Sequence, residues 1–120
     1  MNKFQSRSFQ KSMMYALNGL RLAFKSQRNF RKHLLIAIVV LSVGFYLKIS
    51  VLEFCMLIFS NLFVLVVEML NSVIEFVIDA YYKNRWAKLA KLSKDIAAGT
   101  VLLSAIFSVV IALIIFIGKF

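Results

Sequence analysis

Polar and apolar positions fall in long blocks along this chain, and each apolar block has the length of a helix. The longest runs from Val51 to Tyr82, enough to cross a hydrocarbon core of about 30 Å and project beyond it. Inside that block Glu68, Glu75 and Asp79 interrupt a run of Val, Ile, Leu, Met and Phe. At about 100° per residue the three carboxylates fall within roughly 20° of one line on a helix, and Asn71 and Ser72 flank that line one turn before Glu75. Two more apolar blocks, from about His33 to Leu47 and from about Asp95 to Gly118, predict a first and a third span. The first is short for a hydrocarbon core, so the segment before it is expected to bend directly into it. Lys48-Ile49-Ser50 predicts a tight turn between the first two spans.

From Lys3 to Lys32 the pattern changes. Phe9, Met13, Ala16, Leu17, Leu20 and Phe24 recur at three- and four-residue steps, with Lys3, Arg7, Lys11, Arg21, Lys25 and Arg28 on the other side. This predicts an amphipathic helix over residues 1–32 that lies on a membrane surface, its cations against anionic lipid. The charged stretch is too long for a signal peptide, and no small-residue cleavage site follows the apolar run. The expected fold is an all-α membrane protein of one domain over residues 1–120: an N-terminal surface helix plus three transmembrane helices. His33 stands at the boundary, where a solvated interfacial imidazole is expected.

Composition sharpens this picture. At 62% hydrophobic and without proline, the chain is too apolar for an ordinary soluble domain. The formal net charge of +10 raises nucleic-acid binding as a reading. The cations, however, sit in two blocks beside apolar runs, as cytoplasmic flanks of spanning helices do, which argues against a nucleic-acid partner. Eight Lys or Arg precede the first span and five (Lys83, Arg85, Lys88, Lys91, Lys94) lie between the second and third. Lys48 and Lys119 are the only basic residues at the other ends. The positive-inside rule then places the N-terminus and the 83–94 segment in the cytoplasm and the C-terminus outside. The lone Cys55, inside an apolar run, gives no disulfide framework.

The carboxylate line is the costly feature. An ionised side chain near the centre of a spanning helix costs on the order of 2.5–3.5 kcal/mol. A seam that only joins helices would be served by Asn, Gln, Ser or Thr and needs no carboxylates in register. Of five acidic residues in the chain, three share this line, which marks it as a functional candidate. The scattered glycines form no phosphate-binding loop, and neither a Cys/His metal spacing nor a Ser-His-Asp set is present. What remains is hard oxygen, an amide and Lys94-Asp95 at the mouth of the third span. Carboxylates suit Mg²⁺, which they hold together with substrate phosphates. A lysine neutralises phosphate charge, and a deeper carboxylate can accept a hydroxyl proton. Taken alone, Ser93-Lys94-Asp95 reads as a helix start with Ser93 as cap.

These residues also carry a resemblance. Glu68-Met69-Leu70-Asn71-Ser72-Val73-Ile74-Glu75, then Asp79, then Lys94-Asp95-Ile96-Ala97-Ala98-Gly99 resembles the small integral-membrane diacylglycerol kinases of bacteria, which include the undecaprenol kinases. Gly19-Leu20-Arg21 and Arg28-Asn29-Phe30-Arg31 match as well, the latter looking closer to the undecaprenol-type branch. The resemblance spans nearly the whole chain. It implies a surface helix plus three spans, a homotrimer with active sites shared between subunits, and a place in the bacterial inner membrane. The implied activity is MgATP-dependent phosphorylation of a lipid hydroxyl.

Carried over by position, the resemblance implies Glu68 as general base and Glu75 as Mg²⁺ ligand. Asn71 and Ser72 would position the reacting groups, and Tyr15, Asp79, Lys94 and Asp95 would contact nucleotide. Gln27 stands where well-known members have a second metal-binding Glu. The Asp79–Lys94 segment looks one residue longer than usual, with Tyr82-Lys83-Asn84-Arg85 in the region where a Glu-Tyr-His triplet is common. Two other classes of function fit the same scaffold: a catalytically idle interaction protein, to which Gln27 lends weight, and a carboxylate-lined proton or ion conduit, against which Lys94-Asp95 and the Asn71 spacing argue.

Overall fold

The computed structural model describes residues 8–120, so Lys3 and Arg7 of the expected surface helix lie outside the described residues. Four helices follow in order: α1 Phe9–Ser26, α2 Arg28–Tyr46, α3 Val51–Tyr82 and α4 Lys88–Ile117. The last three are long and apolar enough to cross a membrane, and the protein is a multi-pass membrane protein. At about 1.5 Å per residue α3 is about 48 Å long, which exceeds the hydrocarbon core.

The single helix expected over 3–32 is broken. It ends at Ser26, Gln27 is extended (φ −108°, ψ 104°), and Arg28–Lys32 begin α2. Neither Gly nor Pro marks the break. Arg31 instead donates from Nη1 to the Phe24 and Lys25 carbonyls at 2.8 Å each, so a cation from α2 meets the open carbonyls at the end of α1. The expected bend from the N-terminal helix into the first span is therefore present, with Gln27 as its elbow.

Seven-residue spacing explains how α2 packs. Its buried residues are Phe30, Ala37 and Gly44, one face that lies against α3. A Cβ on Gly44 would stand 2.9 Å from Ile49 Cδ1 and 3.2 Å from Leu57 Cδ1, so the glycine lets the turn fold back against both helices. Lys48 turns the chain in the left-handed region (φ 55°). Ser50 and Glu53 then form a reciprocal capping box at the start of α3. Glu53 Oε1 also lies 3.1 Å from Lys119 Nζ, tying the start of α3 to the end of the chain.

Helix α3 is central, with α2 and α4 both packed on it. Its buried stripe is largely polar, including Ser60, Asn61, Glu68, Asn71 and Ser72, while Phe59, Val66 and Leu70 face outward. Helix α4 meets it through small residues at the same seven-residue step, Ala90, Ala97 and Ser104. Contrary to the expected start near Asp95, α4 begins at Lys88 behind Ala87, and Ser93 is interior rather than a cap. The cationic stretch is helical because Ala90 is buried and Lys91 pairs with Asp95 one turn on, at 2.7 Å. The connection is short, turned by Lys83 and Asn84 at φ 52° and 61°.

Candidate active site

The carboxylate line on α3 is a gradient of exposure. Glu68 is 3% exposed, Glu75 is half-buried, and the Asp79 side chain is 40% exposed near the α3–α4 connection. One helix thus carries acidic oxygens from a buried interface to an exposed position beside the α3–α4 connection.

Each carboxylate has a different neighbour. Glu68 Oε2 lies 3.7 Å from His33 Nε2 on α2, so the imidazole expected to be solvated faces the helix interface instead. Its register with Phe30 and Ala37 was the available signal, since a three-then-four step puts all three on one face of α2. Glu75 Oε1 accepts from Asn71 Nδ2 at 3.2 Å, and Asn71 Oδ1 is buried without a partner among the described residues. Ser72 donates to the Glu68 carbonyl at 3.1 Å. Asp79 Oδ1 holds Lys94 Nζ at 2.5 Å, bridging α3 to α4.

Asp79, Lys94 and Asp95 line one cleft of about 520 Å³ at the α3–α4 connection. Arg85, Trp86 and Lys91 line it too, and sequence reasoning assigned them no role. Trp86, 78% exposed, is carried there by the left-handed turn at Lys83 and Asn84. Both ion pairs of the cleft, Lys94–Asp79 and Lys91–Asp95, are between two- and three-fifths exposed, so each exchanges readily for an incoming anion. Tyr15, on α1 and 57% exposed, is not among the residues that line this cleft.

Gln27 lies at the elbow, its Nε2 3.3 Å from Ser26 Oγ. It shares a groove of about 340 Å³ with Gly19 and Ala23 of α1 and Ser72, Val73 and Phe76 of α3. A larger apolar groove of about 780 Å³ runs between α3 and α4, with Asn71, Thr100 and Ser104 as its polar atoms among Phe59, Phe63 and Phe107.

Among the described residues no three His, Cys, Asp or Glu side chains converge as a self-sufficient metal site requires. Glu75 and the unpaired Asn71 Oδ1 offer hard oxygen within one helical turn. That donor set fits Mg²⁺ of the kind held by one carboxylate with substrate phosphates and water.

The chain matches the prokaryotic diacylglycerol kinase family over residues 14–116. It is 36% identical to a diacylglycerol kinase of Synechocystis over 83% of its own length, and spans 57% of that longer relative. To the undecaprenol kinase of Bacillus subtilis it is also 36% identical, over 92% of this chain and 89% of the relative. A diacylglycerol kinase of Escherichia coli is 29% identical over 83% and 81% of the two chains. A polar stripe on a long apolar helix, a cleft lined by cations beside the α3–α4 connection and these likenesses agree, and the chain belongs to the prokaryotic diacylglycerol kinase family of lipid kinases.

Proposed function

We propose that this lipid kinase transfers the γ-phosphate of MgATP to the hydroxyl of a membrane lipid, diacylglycerol or undecaprenol. The observation that carries the reading is the exposure gradient along α3, from Glu68 at 3% to Asp79 at 40%. A water-soluble nucleotide meets the exposed end, and a lipid headgroup reaches the buried end from the membrane.

In this reading Glu68 takes the proton of the lipid hydroxyl as its oxygen attacks the γ-phosphorus, and the bond to the β-phosphate oxygen breaks to release ADP. Asn71 holds Glu75 and offers its free Oδ1 to the reacting groups. Glu75, with the Gln27 amide from the elbow, would hold Mg²⁺, which neutralises phosphate charge when bound. Lys94 leaves Asp79 for the phosphates, and Asp79, Asp95 and Tyr15 complete the nucleotide contacts. Ser72 fixes the helix beside Glu68 through its bond to the Glu68 carbonyl.

A homotrimer supports this chemistry. Helix α1 has no buried residue, and Tyr15 is not among the residues that line the cleft of Asp79, Lys94 and Asp95, so in this reading a second copy completes the set. Ala98 and Gly99, small and exposed on α4, permit close approach. Helix α1 lies on the inner face of the bacterial plasma membrane, with the N-terminus cytoplasmic and the C-terminus outside.

The test is transfer of labelled phosphate from ATP to each lipid in turn, in mixed micelles. Label in phosphatidic acid or undecaprenyl phosphate supports the reading and identifies the acceptor. No transfer and no lipid-dependent ATP consumption would leave the idle scaffold or the ion conduit.

A further inference from the structure

We propose that His33 is a positioning residue for Glu68, holding one carboxylate oxygen from α2 so that the other faces the acceptor hydroxyl. This rests on the reading of Glu68 as the base.

The geometry is specific. Glu68 lies in the α2–α3 interface at 3% exposure, and no hydrogen bond from a described side chain fixes its carboxylate. Among the described residues His33 is the only Lys, Arg or His within 4 Å of it, Nε2 to Oε2 at 3.7 Å. The Ser72 hydroxyl, one turn on, is committed to the Glu68 carbonyl rather than to its carboxylate. Glu75 is engaged by Asn71. Among the described residues the imidazole is therefore the one cationic or ring N–H group on a neighbouring helix placed to hold the carboxylate of the base.

The support behind His33 is rigid. Phe30, one turn before it, is 7% exposed and Ala37, one turn after, is 5% exposed, so the ring projects from a packed face. Arg31 fastens the same first turn of α2 to the end of α1. A base held by a well-packed partner keeps the near-attack geometry on which such transfers depend, and displacement by about 1 Å can lower the rate about 100-fold.

The imidazole also separates two roles that one residue cannot fill. In this proposal a ring N–H closes the 3.7 Å gap to Oε2 as the reaction proceeds; an oxygen so engaged accepts a second proton poorly, so the hydroxyl proton passes to the other oxygen, Oε1. During transfer that proton moves from lipid oxygen to Oε1, the new O–P bond forms, and the bond to ADP breaks. His33 gains and loses nothing in the step.

The experiment is a double-mutant cycle on the full-length protein in lipid micelles. His33→Leu should lower kcat by about 10- to 100-fold with KM for MgATP and lipid each unchanged within about twofold. His33→Gln, whose amide nitrogen stands where Nε2 does, should restore most of the rate. His33→Asn, whose amide stops short of Glu68, should not, and its polarity and size keep it informative where the leucine variant fails to fold. In a Glu68→Gln background, His33→Leu should cost less than about twofold further, since the two residues act as one unit. Wild-type kcat in both His33→Leu and His33→Asn overturns the proposal, and so does an undiminished effect of His33→Leu in the Glu68→Gln background. Full activity of Glu68→Gln itself overturns the base assignment and this inference with it, whereas an inactive Glu68→Gln beside a fully active His33→Leu overturns this inference alone.

Discussion

Asn71 donates from Nδ2 to Glu75 Oε1 across 3.2 Å and leaves its own Oδ1 buried with no partner among the described residues. The amide pins a half-buried carboxylate one turn along α3 while its carbonyl stays available. A buried acceptor without a donor detracts from stability, by about 1–3 kcal/mol for a typical polar group. Such a group is retained where substrate or metal completes it. Asn71→Leu is therefore expected to leave thermal stability in detergent within about 1 kcal/mol of the parent, since the orphan leaves together with the bond to Glu75. The same change should lower kcat by about 100-fold or more through loss of oriented Glu75. Thermal unfolding and lipid kinase rates on one preparation check both halves.

The second prediction concerns the cleft. Lys94 and Asp79 are each about two-fifths exposed, so their ion pair contributes under about 1 kcal/mol to stability. A charge-assisted bond from Lys94 to a phosphate oxygen is worth more, about 1.5–3 kcal/mol. Lys94→Met should then raise KM for MgATP by about tenfold or more while the unfolding temperature and the lipid KM stay near the parent values. A KM for MgATP that does not move would separate Lys94 from the nucleotide.

The third concerns Gly44. Ile49 Cδ1 is the flexible end of a side chain and can yield to a methyl group, but Leu57 is fully buried on α3. Gly44→Ala is expected to lie within about 1 kcal/mol of the parent and Gly44→Val to cost about 1–3 kcal/mol by overpacking. Because the turn lies at the far end of α3 from Asp79 and Lys94, KM for MgATP should not change. Unfolding curves with matched kinetics give the answer.

Much of this architecture was legible in the pattern of residues because it follows from periodicity. The 3.6-residue repeat put Glu68, Glu75 and Asp79 on one line, and the apolar block lengths gave three helices able to span. What escaped was decided by contacts between helices. The break at Gln27 carries no glycine or proline and rests on Arg31 reaching back to two carbonyls of α1. Five cations between residues 83 and 94 resembled a loop, yet Ala90 is buried and carries the helix back to Lys88. His33 looked interfacial because its register with Phe30 and Ala37 gives a face but names no partner 35 residues on; its contact with Glu68 exists only once α2 lies on α3. Arg85 and Trp86 reach the cleft through a left-handed turn at Lys83 and Asn84, of which only the asparagine is a residue type that favours that conformation.

The last prediction concerns Gln27. The elbow places it in a groove with Ser72 and Phe76 of α3, on the helix that carries Glu75. A neutral amide there gives the proposed Mg²⁺ site one negative charge fewer than a carboxylate would. At about 4 Å and an effective dielectric near 20, attraction between unit charges is about 4 kcal/mol, of which desolvation removes a large part. Gln27→Glu is accordingly expected to lower the Mg²⁺ concentration for half-maximal rate by about tenfold, with lipid KM unchanged. Its effect on stability should be small, because among the described residues the Gln27 side chain bonds only to its neighbour Ser26. Competition with Arg31 is the complication to control, since that cation lies four residues on and already serves the end of α1. A carboxylate that turned toward Arg31 would tighten the elbow and leave the Mg²⁺ titration where it was. An unmoved titration would therefore remove Gln27 from the metal site and leave it as the hinge between α1 and α2.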